Sequence, residues 1–246
     1  MATIDHSGDR ADQAKLKSIA ILFEDDFLLA VAKPPGMAVH GGAGEGRTVI
    51  DLLEEAYPKQ RKLHLVHRID RGTSGLLLVA KSPEVAKTVS VLWDRVAKRY
   101  LAIALGTVRD QTIDRPLIDD EGKAERARTR IRAVASLDAI EPKATLLEAG
   151  IETGRTHQIR RHLAMVGHPV LMDDKHGDFS ANKRWSKAVK DAGGPRPKHL
   201  MLHAHRLSGS HPMTGDSMAI SAETPPFWRE ILATLGARVD ALDLLT

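Results

Sequence analysis

The sequence contains no cysteine. That absence excludes disulfides, thiolate-held zinc, iron–sulfur clusters and cysteine nucleophiles, and it fits a reducing compartment. Aromatic residues are scarce, nine in 246 positions: three Trp, two Tyr and four Phe. A protein that reads RNA by stacking many bases on many rings is therefore not expected. No apolar run approaches the ~18 residues that a membrane span requires. The polar, mixed-charge start, MATIDHSGDRADQAKLKS, lacks the pattern of a signal peptide. A cytoplasmic protein without a membrane partner is the expectation. Hydrophobic residues make up 42% of the chain, enough for one large core without covalent staples.

Net charge is +4, by itself a weak pointer to nucleic acid. The distribution says more. Between Lys123 and Arg132, in KAERARTRIR, Arg126, Arg128, Arg130 and Arg132 recur at a spacing of two. That spacing puts them on one face of an expected strand. A solvated edge blunted by charge would also give such a row, but edges usually mix signs. A row of one sign favours phosphate contact.

Patterning predicts strands over 19–24, 27–33, 76–81, 100–108, 125–136, 143–151, 200–207 and 217–221. It predicts helices over 49–57, 82–98, 156–166, 185–192 and 226–235. The second helix is opened by Ser82-Pro83-Glu84, a capping serine, a first-turn proline and an acid at the positive dipole end. Gly167 is a plausible stop for the third. Strands outnumber helices and come in groups, which argues α+β with a largely antiparallel mixed sheet and flanking helices. Residues 1–18 are expected to be a flexible leader and 19–246 a single domain.

Three motifs compete for the chemistry and fall short. Gly41 to Thr48 reads G-x-x-x-x-G-R-T, one residue away from a phosphate-cradling P-loop. Arg47 stands where that loop carries lysine, and no apolar strand ending in Asp follows to hold magnesium. A loop capping the next helix is the better account. His199, His203 and His205, joined by Asp173 and Asp174, have ligand chemistry for a metal hydrolase. Hydrogen-bonded histidines in a half-buried strand explain them more simply, so no metal is expected. Ser74 lies in GTSG, which lacks the Gly-x-Ser-x-Gly spacing of a nucleophile elbow.

The stretch from His67 to Gly75, HRIDRGTSG, differs in kind. Asp70 sits between Arg68 and Arg71 in a glycine-punctuated turn that leads into LLLVAK. Arginines so placed favour a charged carboxylate and can also meet phosphate. A second cluster, Gly154 to His162, GRTHQIRRH, opens a short helix whose backbone N–H groups and three arginines suit an anion. Alone, each reads as a salt-bridged turn or a basic helix end. Together they offer one carboxylate among many arginines. That combination suits acid–base or nucleophilic carboxylate chemistry on a phosphate-bearing substrate.

These stretches, with KRYLAIALGTV, ETGRTHQIRRHLAMVGHPVLMDDKHGD and LHAHRL…HPMTG following in order, resemble the RluA family of pseudouridine synthases. ILFEDDFLLAVAKPPGMAVHGG is similar to that family's opening strands, so the resemblance runs over residues 19–236. The GGAGEG loop and DDKHGD are most similar to members that act on large-subunit ribosomal RNA.

The resemblance implies the pseudouridine synthase fold and a cofactor-free isomerase that turns uridine in RNA into pseudouridine. Ribosomal RNA is the favoured partner, transfer RNA a possible one, and no obligatory protein partner is evident. It makes Asp70 the catalytic carboxylate and Arg160 the arginine that pairs with it. Tyr100 becomes the ring against the uracil, its phenol or phenolate available to move the C5 proton. Arg68 would enter the gap left by the flipped nucleotide or grip its phosphate. Arg71, Arg155, His157 and Gln158, with Arg126, Arg128 and Arg130, are the expected substrate-binding groups. Ile69, Met172 and His176 stand where many relatives carry leucine, glycine and tyrosine. The 18 or so residues before the first strand are too few for the small N-terminal RNA-binding domain of many ribosomal members, so the RNA target stays open. A non-catalytic RNA-binding or ribosome-assembly protein of the same fold is the alternative, and intact Asp70, Tyr100 and Arg160 argue against it.

Overall fold

A computed structural model describes residues 19–41, 46–58 and 62–237; the expected leader lies outside them. The strands are β1 (Ile21–Glu24), β2 (Leu28–Lys33), β3 (His64–Leu65), β4 (Ser74–Ala80), β5 (Ala97–Leu105), β6 (Gln111–Asp114), β7 (Leu117–Ile118), β8 (Ala124–Glu125), β9 (Arg128–Leu137), β10 (Ala144–Ile151), β11 (Leu202–Ser210) and β12 (Ser217–Ser221). The helices are α1 (Val49–Ala56), α2 (Pro83–Leu92), α3 (Gln158–Met165), α4 (Phe179–Asp191) and α5 (Pro226–Thr234). Ten strands form one sheet, ordered β1-β2-β4-β11-β5-β10-β9-β6, with β12 on β11 and β3 on β4; β7 and β8 make a separate ribbon. Every pairing is antiparallel except β4 with β11. The α+β expectation holds.

The parallel contact is a short seam, His203 opposite Ser74 and Ala204 opposite Gly75. It joins the two halves of the sheet. Gly75 has φ +106°, and a Cβ there would lie 2.2 Å from the Ala204 carbonyl oxygen. Only glycine permits that approach. The chain just before this seam is the Asp70 turn.

The halves bury separate cores. On one side of the seam, β5, β9, β10 and β11 pack with Leu163 of α3, Trp185 of α4 and Trp228 of α5. On the other, Leu28, Ala30, Leu76 and Leu78 pack on α2 through Val85 and Val89. The opposite face of the same strands, Leu29, Val31, Leu77 and Val79, packs on α1 through Val49 and Leu53. Each such side chain contributes roughly 1.5–3 kcal/mol when fully buried. Tyr100 packs against the first and third of these cores and so sits at the junction.

Three expected elements are corrected. The helix expected to reach residue 98 ends at Leu92; a 3-10 turn over Trp93–Arg95 follows, and β5 begins at Ala97. Two-sided pairing of β5 with β10 and β11 outcompetes helical continuation. The strand expected over 125–136 is split, because β8 pairs with β7 before the chain joins β10 as β9. Arg126 therefore lies in a connection and not on the strand. Finally, α4 starts at Phe179, six residues earlier than expected, where the Asp178 side chain accepts from the Ala181 N–H at 2.8 Å.

Candidate active site

Asp70 stands in the turn that feeds β4. Its carbonyl accepts from the Thr73 N–H at 3.0 Å, and the neighbouring Ile69 is buried in the α1 core. The turn is held from below by Lys33, the last residue of β2. Its buried ammonium donates to the carbonyls of Pro34 (3.0 Å), Met37 (2.8 Å) and Arg71 (3.0 Å). Burial pushes Lys33 down to about 7, against the pull of the Asp70 charge. Sequence patterning marked Lys33 only as the end of a strand.

Arg160 projects from α3 and is buried. Its Nη1 donates to Asp70 Oδ2 at 3.0 Å. Its Nε and Nη2 donate to Asp173 Oδ2 and Oδ1, both at 2.7 Å, in a bidentate fork. Burial works against the ionised form of Asp173. The guanidinium and the backbone N–H groups of His176 and Lys175 outweigh it and hold the carboxyl below its ordinary value. Burial opposes the charge on Arg160 too, but the two carboxylates keep it firmly protonated.

Asp173 reaches Arg160 through an unusual turn. Met172 has φ +61°, a left-handed conformation that costs a residue with a Cβ roughly 1–2 kcal/mol. Its N–H donates to Asn182 Oδ1 at 2.9 Å, and Asn182 Nδ2 donates to the Asp173 carbonyl at 3.0 Å. Thus α4 pins the turn that carries Asp173. The left-handed φ is one that glycine would adopt without this cost.

His157, the residue before α3, is also left-handed, with φ +54°. Its Nε2 faces Asp70 Oδ1 at 3.8 Å, and its Nδ1 shares a hydrogen bond of 2.8 Å with His176 Nε2. Burial is the main cause that lowers both imidazoles below their ordinary value.

Tyr100 lines a narrow recess of about 70 Å³ with Asp70, Arg160, Ile151 and Leu202. Burial, then the Asp70 charge, pushes the phenol up. Of the two forms the sequence left open, the neutral phenol is the one present at neutral pH. Arg68 is exposed at the rim of the recess. Thr73 also lines it, and its buried Oγ1 has no hydrogen-bond partner among the described residues. Asp70, His157 and Arg160 also line a wide cleft of about 910 Å³, as does Arg71. Arg71 Nε donates to the Gly36 carbonyl at 3.0 Å.

Other expected contacts are placed elsewhere or already engaged. Gln158 accepts from Thr153 Oγ1 (2.7 Å) and the Arg155 N–H (3.1 Å), and it donates to the Arg128 carbonyl (2.9 Å) and Thr129 Oγ1 (3.0 Å). With the amide so engaged, Gln158 braces α3 against β9. Arg155 lines the recess but pairs with Glu125 at 3.0 Å. The arginine row is not brought to Asp70. Arg130 opposes Gly150, which opposes Arg99; Ile131 opposes Ala149, which opposes Tyr100. Opposed residues share a face, so Arg130 and Tyr100 lie on opposite faces of the sheet. Arg128 on that same far face stands 3.7 Å from Asp114 and 3.5 Å from Glu152, and Arg126 is exposed between β8 and β9.

The competing motifs also find places. Thr48 forms a capping box with Asp51 at the start of α1; residues 42–45 of the glycine-rich loop lie outside the described residues. His203 shares hydrogen bonds with Ser74 Oγ (2.9 Å) and the Ala222 carbonyl (3.0 Å), and His205 meets that same carbonyl at 3.2 Å. Among the described residues, no three His, Cys, Asp or Glu side chains group as a metal site.

The RNA pseudouridylate synthase family profile matches residues 27–165. The ribosomal large subunit pseudouridine synthase C of Haemophilus ducreyi is 38% identical over 228 residues, 88% of this chain and 69% of its own length. That of Pasteurella multocida is 38% identical over 226 residues, 87% of this chain and 67% of its own. Among solved structures, human RNA pseudouridylate synthase domain containing 4 superposes with a TM-score of 0.74 at 25% identity, over 93% of this chain and 98% of that one. Human RNA pseudouridylate synthase domain containing 1 gives 0.69 at 23% identity, over 89% and 88%, a likeness of fold.

Proposed function

The chain belongs to the RNA pseudouridylate synthase family, and from that premise we propose that it isomerises uridine to pseudouridine in large-subunit ribosomal RNA, with Asp70 as the reacting carboxylate. The observation that carries this is the asymmetry at Asp70: Oδ2 is held by Arg160 at 3.0 Å, while Oδ1 has no hydrogen-bond partner among the described residues. A carboxylate fixed by one oxygen and open at the other is oriented for attack or for proton abstraction.

The isomerisation breaks the C1′–N1 bond and forms C1′–C5; the proton leaves C5 and N1 gains one. No redox change and no group transfer occurs, so the stoichiometry asks for no cofactor. In this reading the uridine leaves its stack and enters the recess beside Tyr100. Flipping costs a few kcal/mol, least from an unpaired loop. Arg68, exposed at the rim, meets the phosphate or fills the vacated position in this scheme. The neutral Tyr100 phenol lies against the base and relays the proton that leaves C5, its oxygen accepting that proton as its own O–H proton passes on. Asp70 Oδ1 meets the ribose or the base.

The relatives named above supply the reading of the target as large-subunit ribosomal RNA, and a transfer RNA target is the competing outcome. The catalytic unit is taken as residues 19–246. No described helix is long and apolar enough to cross a membrane; we place the reaction in the cytoplasm, and no obligatory protein partner enters the scheme. The test maps pseudouridines in RNA from cells that carry the parent protein, Asp70→Asn, or neither. A ribosomal site present only with the parent supports the proposal. A site retained with Asp70→Asn overturns the role of Asp70, and a site confined to transfer RNA overturns the target.

A further inference from the structure

Phe179 is 82% exposed. The other three phenylalanines all pack on a core: Phe23 and Phe27 beside the α2 core, Phe227 on the large one. Phe179 is the first residue of α4, placed by the Asp178 cap, and its ring lines the 910 Å³ cleft that Asp70, His157 and Arg160 also line. One turn along α4, Lys183 lines the same cleft, as the i,i+4 spacing requires of residues on one helix face. Lys175, Arg196 and Lys198 complete its basic wall, and among the described residues none of these four cations has an ion-pair partner. The acids that line the cleft are Asp70 and Asp174.

An uncovered ring beside unpaired cations is the composition that single-stranded nucleic acid needs. Bases stack on aromatic faces, and phosphates follow the positive charge. The cleft shares Asp70, His157 and Arg160 with the recess that Tyr100 lines, so whatever fills it adjoins the nucleotide in the recess.

We propose that this cleft seats the RNA strand next to the target uridine, with the Phe179 ring stacked on a flanking base and Lys183, Lys175, Arg196 and Lys198 against its phosphates. The inference rests on the pseudouridine synthase reading and adds a subsite to it. Phe179 is a substrate-binding residue and takes no part in bond making. A chain with few aromatics can still stack a base if the one exposed ring stands where the strand must pass.

The probes are two. One is a short RNA that contains the uridine mapped as the parent's target. The other is the same RNA with an abasic nucleotide in turn at each position flanking that uridine. Phe179→Ala should weaken binding of the intact RNA by about 5- to 150-fold, the range for loss of one stacked base. The single-turnover rate at saturating RNA should stay within twofold of the parent, since the reacting groups are untouched. Phe179→Trp should bind like the parent, and Phe179→Leu like the alanine variant. At one abasic position the alanine penalty should vanish. The salt dependence should be unchanged by Phe179→Ala and flattened by ~0.7 in log–log slope by Lys183→Gln.

Binding by Phe179→Ala within twofold of the parent overturns the proposal. So does a leucine variant that equals tryptophan, which would make the contact merely apolar and point to a protein partner on this face. The failure of the underlying reading looks different: Asp70→Asn would then retain turnover, whatever Phe179→Ala does to binding.

Discussion

Arg160 is tied twice to Asp173 and once to Asp70. Both nitrogens of its bidentate edge face Asp173 at 2.7 Å, leaving Nη1 to reach Asp70 at 3.0 Å. The planar fork therefore has its orientation set by Asp173, and Asp70 takes its position from the guanidinium. Asp173 in turn hangs from a left-handed Met172 and from Asn182. Asp70, the proposed reacting carboxylate, is thus located by α3, the turn at 172–173 and α4 together.

The first prediction concerns that dependence. Asp173→Asn keeps the shape but loses the charge and half of the fork. The single-turnover rate should fall by about 10- to 100-fold at every pH, as expected when reacting groups shift by about 1 Å. RNA affinity should stay within a few-fold, because phosphate contacts dominate it. Breaking the buried pair should also lower stability by about 3–5 kcal/mol, read by urea unfolding. Asp173 is held below its ordinary pKa of 3.8 when folded, so its contribution is present above that value and is lost as pH falls through the folded pKa. The asparagine variant should therefore lose less stability than the parent on acidification below about pH 4. Full activity in the variant would mean that Asp70 alone positions Arg160.

How much of this was legible in the sequence differs residue by residue. Asp70 and Arg160 lie inside long, distinctive stretches, and their pairing across 90 positions follows once those stretches are recognised. Asp173 was visible only as one of two adjacent acids with metal-ligand chemistry. Its fork with Arg160 depends on a backbone conformation that methionine rarely takes, which no local pattern reveals. Lys33 looked like a strand end, because burial of an ammonium under three carbonyls is a tertiary fact. The period-two arginines were legible as a row, but the face they occupy is set by register with β10, and a shift of one residue would reverse it.

Lys33 supplies the second prediction. It is charged in the unfolded chain up to about pH 10.5 and falls to about 7 in the folded one. Between these values the unfolded chain binds the extra proton, so stability should rise with pH across that window. Lys33→Met should flatten this rise and, by freeing the carbonyls of Pro34, Met37 and Arg71, loosen the Asp70 turn. Urea midpoints for parent and variant at pH 7 and pH 9.5 check the first effect, and single-turnover rates check the second. Parallel stability curves would show that Lys33 keeps its proton throughout.

A third prediction separates the arginine row from the site. Arg128 stands near Asp114 and Glu152, and Arg132 near Glu148 at 3.5 Å. Arg126 and Arg130 have no ion pair among the described residues. Replacing both by glutamine should reduce the salt slope of RNA binding by up to ~0.7 per lost contact. The rate at saturating RNA should be unchanged, because Arg130 lies across the sheet from Tyr100 and Arg126, in the β8–β9 connection, lines neither the recess nor the cleft. Arg128→Gln should have the smaller effect of a cation that already has partners. An unchanged slope in the double variant would show that the row faces water alone.

The last prediction concerns the two imidazoles. His157 and His176 share one hydrogen bond, and His157 Nε2 stands 3.8 Å from the open oxygen of Asp70. Both rings are lowered by burial first; Arg160 and Lys175 lower them further, while Asp173, and for His157 also Asp70, pull the other way. The pair is therefore neutral at neutral pH. Acidification puts a cation beside Asp70 Oδ1, where it pairs with the oxygen proposed to react, so the rate should fall on the acid side. His176→Phe removes the hydrogen bond that fixes the His157 ring and one of the two titrating groups. The rate should drop at neutral pH, and the remaining acid limb should be shallower. Stability carries an independent sign. A histidine lowered on folding leaves the unfolded chain with the extra proton below pH 6.5, so stability falls as pH drops through that region. His176→Phe should lessen that fall, which urea midpoints at pH 7 and pH 5.5 would register. His176→Gln, which can still hydrogen-bond His157, should restore much of the neutral-pH rate without restoring the titration. If phenylalanine and glutamine behave alike in both rate and pH profile, His176 does not position His157.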